Sequence, residues 1–197
     1  LTKTVLSGLA KIELPRPHHR VRHKLERWGL SDPPRITADR FLDRLPRLKQ
    51  LVPPRVVAAC FGTAWNRWCT ARRFQRRAHL CNNCKLGCGG GAEDSIEHYA
   101  RCQTVRKFHR QALNIDADWL LPYWIAVHKV QGKDEALLAR SAIGCFAVYS
   151  VTNAARHGGA FSADEAQNAL RQAAKEAVMG HGRATSILIS TWARRRE

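Results

Sequence analysis

Cys81, Cys84, Cys88, His98 and Cys102 crowd into one short segment of the chain, LCNNCKLGCGGGAEDSIEHYARC. No other feature limits the folding of this sequence as strongly, because soft ligands at such spacing converge on a single ion. A zinc site takes four nitrogen or sulfur ligands in a tetrahedron, commonly two from a tight turn and two from a following helix. Cys84-Lys-Leu-Gly-Cys88, followed by Gly89, Gly90 and Gly91, reads as the turn, since glycine lets backbone amides fold toward sulfur without a side-chain penalty. Asp94-Ser-Ile-Glu97 reads as a capping box that starts a helix at about Ser95. On that helix His98 and Cys102 are four residues apart and share one face. Cys84, Cys88, His98 and Cys102 are the favoured ligands. Cys81 forms an alternative pair with Cys84 at the commoner two-residue spacing, so it stands as a reserve and the amino-terminal half of the site is open between them. Disulfides are the plain alternative. Seven cysteines is an odd total, and the bunching of Cys81, Cys84 and Cys88 in a hydrophilic loop does not resemble a framework spread over a small secreted fold. Free thiols in this number fit a reducing compartment, so an intracellular setting, nucleus or organelle matrix, is expected.

Charge is the second constraint. The chain carries 33 Lys and Arg against 16 Asp and Glu, a formal +17, and so large an excess is most simply tolerated when the partner is a polyanion. Nucleic acid is the first candidate, RNA favoured with DNA open. An anionic membrane surface is the second, but no apolar stretch approaches the roughly 20 residues that span a bilayer, so no membrane partner is expected. The basic residues cluster. Residues 1–36 hold Pro15, Pro17, Pro33 and Pro34 around a run that includes Arg20, Arg22, His23, Lys24 and Arg27, which reads as a proline-bracketed arm with a short helix from about His19 to Trp28. Arg20, Arg22 and Lys24 are candidate phosphate contacts, with a solvated basic face as the alternative. Arg67, Arg72, Arg73, Arg76 and Arg77 lead directly into the cysteine loop. A rigid knuckle beside them would fix their backbones, which suits the planar fork of a guanidinium to phosphate.

The remaining periodicity is helical. Phe41, Leu42, Leu45, Leu48 and Leu51 predict a helix from Thr37, kinked or split at Pro46 and stopped by Pro53 and Pro54. A second begins near Pro54 and presents Val56, Val57, Cys60, Phe61, Ala64, Trp65 and Trp68 along one side, the tryptophans as core rather than base platforms. Val105, Phe108, Ala112 and Leu113 extend or follow the metal-bearing helix, with Lys107, His109 and Arg110 outward. Residues 134–157, from Asp134 to a stop at Gly158, predict the longest helix, and Ser162 with Glu165 caps another whose apolar side is mostly alanine. A terminal helix carries Ile187, Leu188, Ile189 and Trp192 toward Arg194, Arg195 and Arg196. The expected fold is mainly α: a helical domain with an inserted zinc-binding knuckle-plus-helix of Cys3His type and a basic amino-terminal arm. Its parts are an arm at 1–36, a helical segment at 37–79, the metal motif at 80–104 and a helical domain with a basic tail at 105–197. Leu1 in place of methionine reads as a fragment or processed product, and residues 1–12 resemble an organelle presequence in composition alone.

Trp68-Cys-Thr-Ala-Arg72-Arg73-Phe-Gln75, Cys84-x3-Cys88 and Ala92-Glu-Asp94-Ser-Ile-Glu97-His98-Tyr-Ala-Arg-Cys102 together resemble the zinc-binding segment that lies carboxy-terminal to the polymerase in non-LTR retrotransposon reverse transcriptases. Phe146-Ala-Val-Tyr149-Ser-Val-Thr-Asn153-Ala-Ala-Arg156 is similar to the helix that follows the finger in that family. The resemblance covers residues 55–160, is strongest at Glu97-His98-x3-Cys102, and leaves Cys81 without a counterpart. It implies a bound Zn2+ and a role in positioning nucleic acid for priming. No Phe/Tyr-x-Asp-Asp stretch occurs, so the paired aspartates that would hold polymerase magnesium are missing, and no nucleophile or phosphate-loop motif stands out. A non-enzymatic, zinc-stabilised nucleic-acid-binding domain is therefore expected. The competing expectation is a domesticated structural subunit of a large ribonucleoprotein, such as an organellar ribosome, with other subunits as partners.

Overall fold

The computed structural model describes residues 17–30, 34–73, 83–89, 91–128 and 134–193, with side chains from residue 21 and from residue 38 in the first two stretches. Among these residues the structure is helical, with a lone antiparallel bridge between Asn83 and Glu93. The helices are α1 (Pro17–Arg27), α2 (Pro34–Leu51), α3 (Pro54–Ala64), α4 (Ile96–Tyr99), α5 (Gln103–Leu113), α6 (Leu121–Trp124), α7 (Glu135–Gly158), α8 (Ala163–Val178) and α9 (Gly182–Ala193).

The longest of them, α7, is the spine. Its 24 residues rise about 36 Å. Asp134 caps it, accepting from the Leu137 amide at 2.8 Å, and the helix includes Gly158, one residue beyond the expected stop. Leu138, Ala142, Ile143, Cys145, Ala147, Val148 and Val151 are all buried, which is the pattern of a helix covered on most sides. α8 lies against it. The capping box of Ser162 and Glu165 opens α8, and its buried Ala166, Ala173, Ala174 and Ala177 allow the close approach that their small size predicts. The carbonyls at the far end of α8 are closed by Arg55, which donates to Glu176, Ala177 and Met179. On α9, Trp192 donates its indole N–H to the Ala112 carbonyl at 2.8 Å.

Several elements differ from the sequence reading. The short helix expected in the arm is α1, and Val21, Leu25 and Trp28, at spacings of four and three, carry it into the same core as α2 and α3. α2 runs through Pro46, which sits on the exposed side while Leu48 and Leu51 are buried. α3 ends at Ala64 rather than continuing to Trp68. Asn66 adopts φ 54°, the Asn66 amide bonds back to Thr63 and the Arg67 amide to Gly62, a six-to-one closure that turns the chain out of the helix. Trp68 then folds back into the core, stacked on Trp124 at 5.5 Å and edge-on to Tyr149 at 5.7 Å, with its indole N–H on the Thr63 hydroxyl at 2.8 Å. Trp65 stacks on Phe61 at 4.0 Å. Both tryptophans are packing residues. His109, expected to face outward, is fully buried, because α5 is sandwiched between α7, α8 and α9.

Candidate metal centre

Cys84 and Cys88 stand on a tight turn whose shape is set by three contacts. The Cys84 amide donates to the Ala92 carbonyl at 2.7 Å, the Leu86 amide points at the Cys84 sulfur at 3.4 Å, and the Leu86 side chain is fully buried beneath the turn. Gly87 is the glycine this turn requires. It has φ 62°, and a Cβ there would lie 2.5 Å from the Ala163 amide nitrogen at the start of α8. The Phe161 amide bonds the Lys85 carbonyl at 2.9 Å, so the turn is seated directly on the α8 cap.

The other two ligands do not share a helix. α4 is a single turn that ends at Tyr99, and Cys102 is the extended residue at the head of α5, with φ −58° and ψ 130°. The intervening amides of Ala100, Arg101 and Cys102 bond back to Ile96, His98 and Tyr99, which brings Cys102 round to His98 through a turn rather than by helical stacking. Ser95, not Asp94, is the cap of α4, accepting from the His98 amide at 3.1 Å. Glu97 does not reach back as in a capping box. It accepts the Trp28 indole N–H at 3.0 Å and so ties α1 to the metal segment.

Asp94 is thereby released for a different task. The residue is 2% exposed; Oδ1 accepts from the Tyr99 hydroxyl at 2.7 Å and Oδ2 from the Ala71 amide at 2.9 Å, with Arg156 of α7 at 3.8 Å. The Tyr99 oxygen also accepts from the Lys85 amide at 3.3 Å, and burial followed by the Asp94 charge pushes its phenol well above the usual range. One buried carboxylate thus joins the turn, the one-turn helix α4, the segment 70–73 and the spine.

All four ligand atoms lie within 4.8 Å of one another. A tetrahedral ion with metal–sulfur bonds of about 2.3 Å and a metal–nitrogen bond of about 2.0 Å would separate sulfurs by roughly 3.8 Å and sulfur from nitrogen by roughly 3.5 Å. Cys84 Sγ and Cys102 Sγ are 3.9 Å apart, and Cys88 Sγ and His98 Nε2 are 3.5 Å apart. Three thiols and an imidazole at these separations fit a metal ion. Without one, Cys102 is drawn toward the thiolate, first by the Cys84 thiol that donates to it and then, against the effect of its burial, by His98, while the same pairing and burial push Cys84 up. The reserve ligand Cys81 lies outside the described residues.

The candidate nucleic-acid contacts divide. Arg76 and Arg77, and the side chain of Arg20, lie outside the described residues. Arg67 is exposed beyond α3, and Arg22 is exposed and paired with Glu26 at 3.0 Å. Lys24, Arg72 and Arg73 come together, with Arg27 beside them, around a cavity of about 460 Å³ that Glu93 and Glu97 also line. Arg27 belongs to the same basic run of the sequence. Its position on α1 beside Lys24 becomes significant only because Trp28 docks that helix against Glu97.

The chain matches no protein-family model, no curated protein and no solved structure. Among the described residues no helix is long and apolar enough to cross a membrane.

Proposed function

We propose that this chain is a zinc-stabilised, non-catalytic nucleic-acid-binding domain, derived from the carboxy-terminal part of a retrotransposon reverse transcriptase, that positions RNA or target DNA. The observation that carries the reading is the bonding of the basic segment to the metal module. The Ala71 amide is held by the Asp94 carboxylate at 2.9 Å and the Arg72 amide by the Asp94 carbonyl at 3.3 Å, so the backbone of the arginine segment is fixed by the residue that precedes the α4 cap. The descent rests on the sequence resemblance at Glu97-His98-x3-Cys102 and at Phe146 to Arg156.

Zinc is the ion this donor set suits, because three thiolates and an imidazole form a soft tetrahedral shell with no place left for a substrate water. Bound there, it supplies folding energy. His98 and the three cysteines hold the turn against the start of α5, Gly87 seats that turn on α8, and Asp94 transmits the rigidity to residues 70–73. The arginines then present their forks from a fixed backbone, which lowers the ordering cost of each phosphate contact.

The test is elemental analysis of the purified chain together with the salt dependence of its binding to single-stranded RNA and duplex DNA. One equivalent of zinc and a steep fall of affinity with salt are expected, since phosphate contacts release counterions. A folded, metal-free protein, or binding that ignores salt, refutes the proposal.

A further inference from the structure

The cavity between α1 and the segment 70–73 has a composition that the metal site does not account for. Lys24 and Arg27 enter it from α1, Arg72 and Arg73 from the loop, and Glu93 and Glu97 from the finger, so four cations face two carboxylates. The carboxylates are partly committed: Glu97 Oε1 takes the Trp28 indole, and Arg72 sits 3.6 Å from Glu93 and 4.0 Å from Glu97. These pairs are half exposed, and such pairs contribute little and are displaced readily. Lys24 is held below its usual range, first by burial and next by Arg27, with Arg72 and Arg73 adding to the crowding and Glu97 only partly opposing it. Among the described residues that line it, the site therefore sets four cations against two acids.

We propose that this cavity is a seat for a phosphate group of a nucleic-acid backbone, gripped between Lys24 and Arg27 on one wall and Arg72 and Arg73 on the other. At about 460 Å³ it has room for a phosphodiester with its flanking sugars. No aromatic ring lines it among the described residues, so it offers a base no stacking platform and recognises the backbone alone. Asn66, placed on the wall by the left-handed turn after α3, brings a neutral side-chain amide, its backbone N–H being taken by the Thr63 carbonyl. The two walls come from opposite ends of the sequence reading, arm and knuckle, and they face each other because Trp28 of α1 bonds Glu97, one residue before the ligand His98. The inference rests on the proposed nucleic-acid function and names where on the molecule the backbone sits.

The experiment compares the zinc-loaded wild-type chain with Lys24→Gln/Arg27→Gln and with a control, Lys49→Gln/Lys107→Gln, that removes two exposed charges away from the cavity. Lys24→Gln also removes the ammonium that lies 5.3 Å over the Trp28 ring, so each protein's Trp28 shift is read against its own phosphate-free spectrum, and zinc content with thermal melting checks that each variant is folded. The first arm titrates inorganic phosphate and follows the Trp28 indole N–H resonance, assigned with Trp28→Phe. The second measures affinity for a single-stranded RNA oligonucleotide across salt concentrations. A Trp28 shift that is lost in the cavity variant, with a salt slope shallower by roughly 0.7 for each contact removed and a control close to wild type, is the expected result. If RNA binds wild type and the cavity variant with the same slope, the seat is wrong while the nucleic-acid reading survives. If wild type binds neither this RNA nor duplex DNA, both fail, even where free phosphate still moves Trp28. A wild-type indole unmoved by phosphate overturns the seat by itself.

Discussion

Asp94→Ala tests whether Asp94 is a helix cap, as its spacing to Glu97 suggests, or the buried hub that the structure places there. A cap lost to alanine costs about 1 kcal/mol. The hub costs more. Removing the carboxylate strands the Ala71 amide and the Tyr99 hydroxyl, bonded at 2.9 and 2.7 Å to a residue only 2% exposed. Each stranded donor costs about 1–3 kcal/mol. Arg156, its side chain 17% exposed, also loses its partner at 3.8 Å, and breaking a buried pair from one side is itself strongly destabilising. These terms are not additive, so the expected loss is about 4 kcal/mol or more, against about 1 kcal/mol for Ser95→Ala, which removes the real cap. Urea unfolding of the metal-loaded protein, extrapolated linearly to water, measures both variants on one scale. Equal losses for the two, or a larger loss for Ser95→Ala, would refute the assignment. Tyr99→Phe in each background adds a double-mutant cycle, in which the coupling to Asp94 should be at least about 1 kcal/mol.

Cys88→Ser or His98→Ala should lower metal content and melt at least the segment around residues 83–102, read by chelator titration with circular dichroism; an unchanged melting curve argues that no ion stabilises the fold. Gly87→Ala must accept a left-handed backbone and a Cβ 2.5 Å from the Ala163 nitrogen, so the turn should lift off α8, with a loss of about 2 kcal/mol or more and faster release of metal to a chelator. His109 is buried neutral: burial holds its pKa down to about 4, Nδ1 faces the Val105 carbonyl at 3.0 Å and Nε2 accepts from Trp124 at 3.0 Å. Its folded value lies below the ordinary 6.5, so the unfolded chain binds the extra proton and stability falls as pH drops from about 6.5 toward 4, by up to about 3 kcal/mol. His109→Gln should flatten that part of the pH–stability curve, and an identical slope in both proteins speaks against the assignment.

The grouping of Cys84, Cys88, His98 and Cys102, the capping of α7 by Asp134 and the capping box of Ser162 with Glu165 were legible in the chain because each is a local pattern. Spacing of a few residues decides whether side chains reach one ion or one orphan amide, whatever surrounds them. The alanine side of α8 was equally legible, since small residues at helical spacing imply a close neighbour without naming it. Local spacing misled where a distant group competed. Asp94 and Glu97 satisfy a capping-box pattern, yet Ala71, Tyr99 and Arg156 claim the first, where burial makes those partners worth more than a cap, and the Trp28 indole claims the second. His98 and Cys102 have helical spacing, but the chain turns between them because Cys102 begins a new helix. His109 lies inward because three helices enclose α5, and Lys24 meets Arg72 because one indole docks α1 on the finger. Residues alone determine which atoms can bind a metal or a phosphate; which of them face each other depends on contacts between segments far apart in the chain, and only the packed tertiary structure settles those.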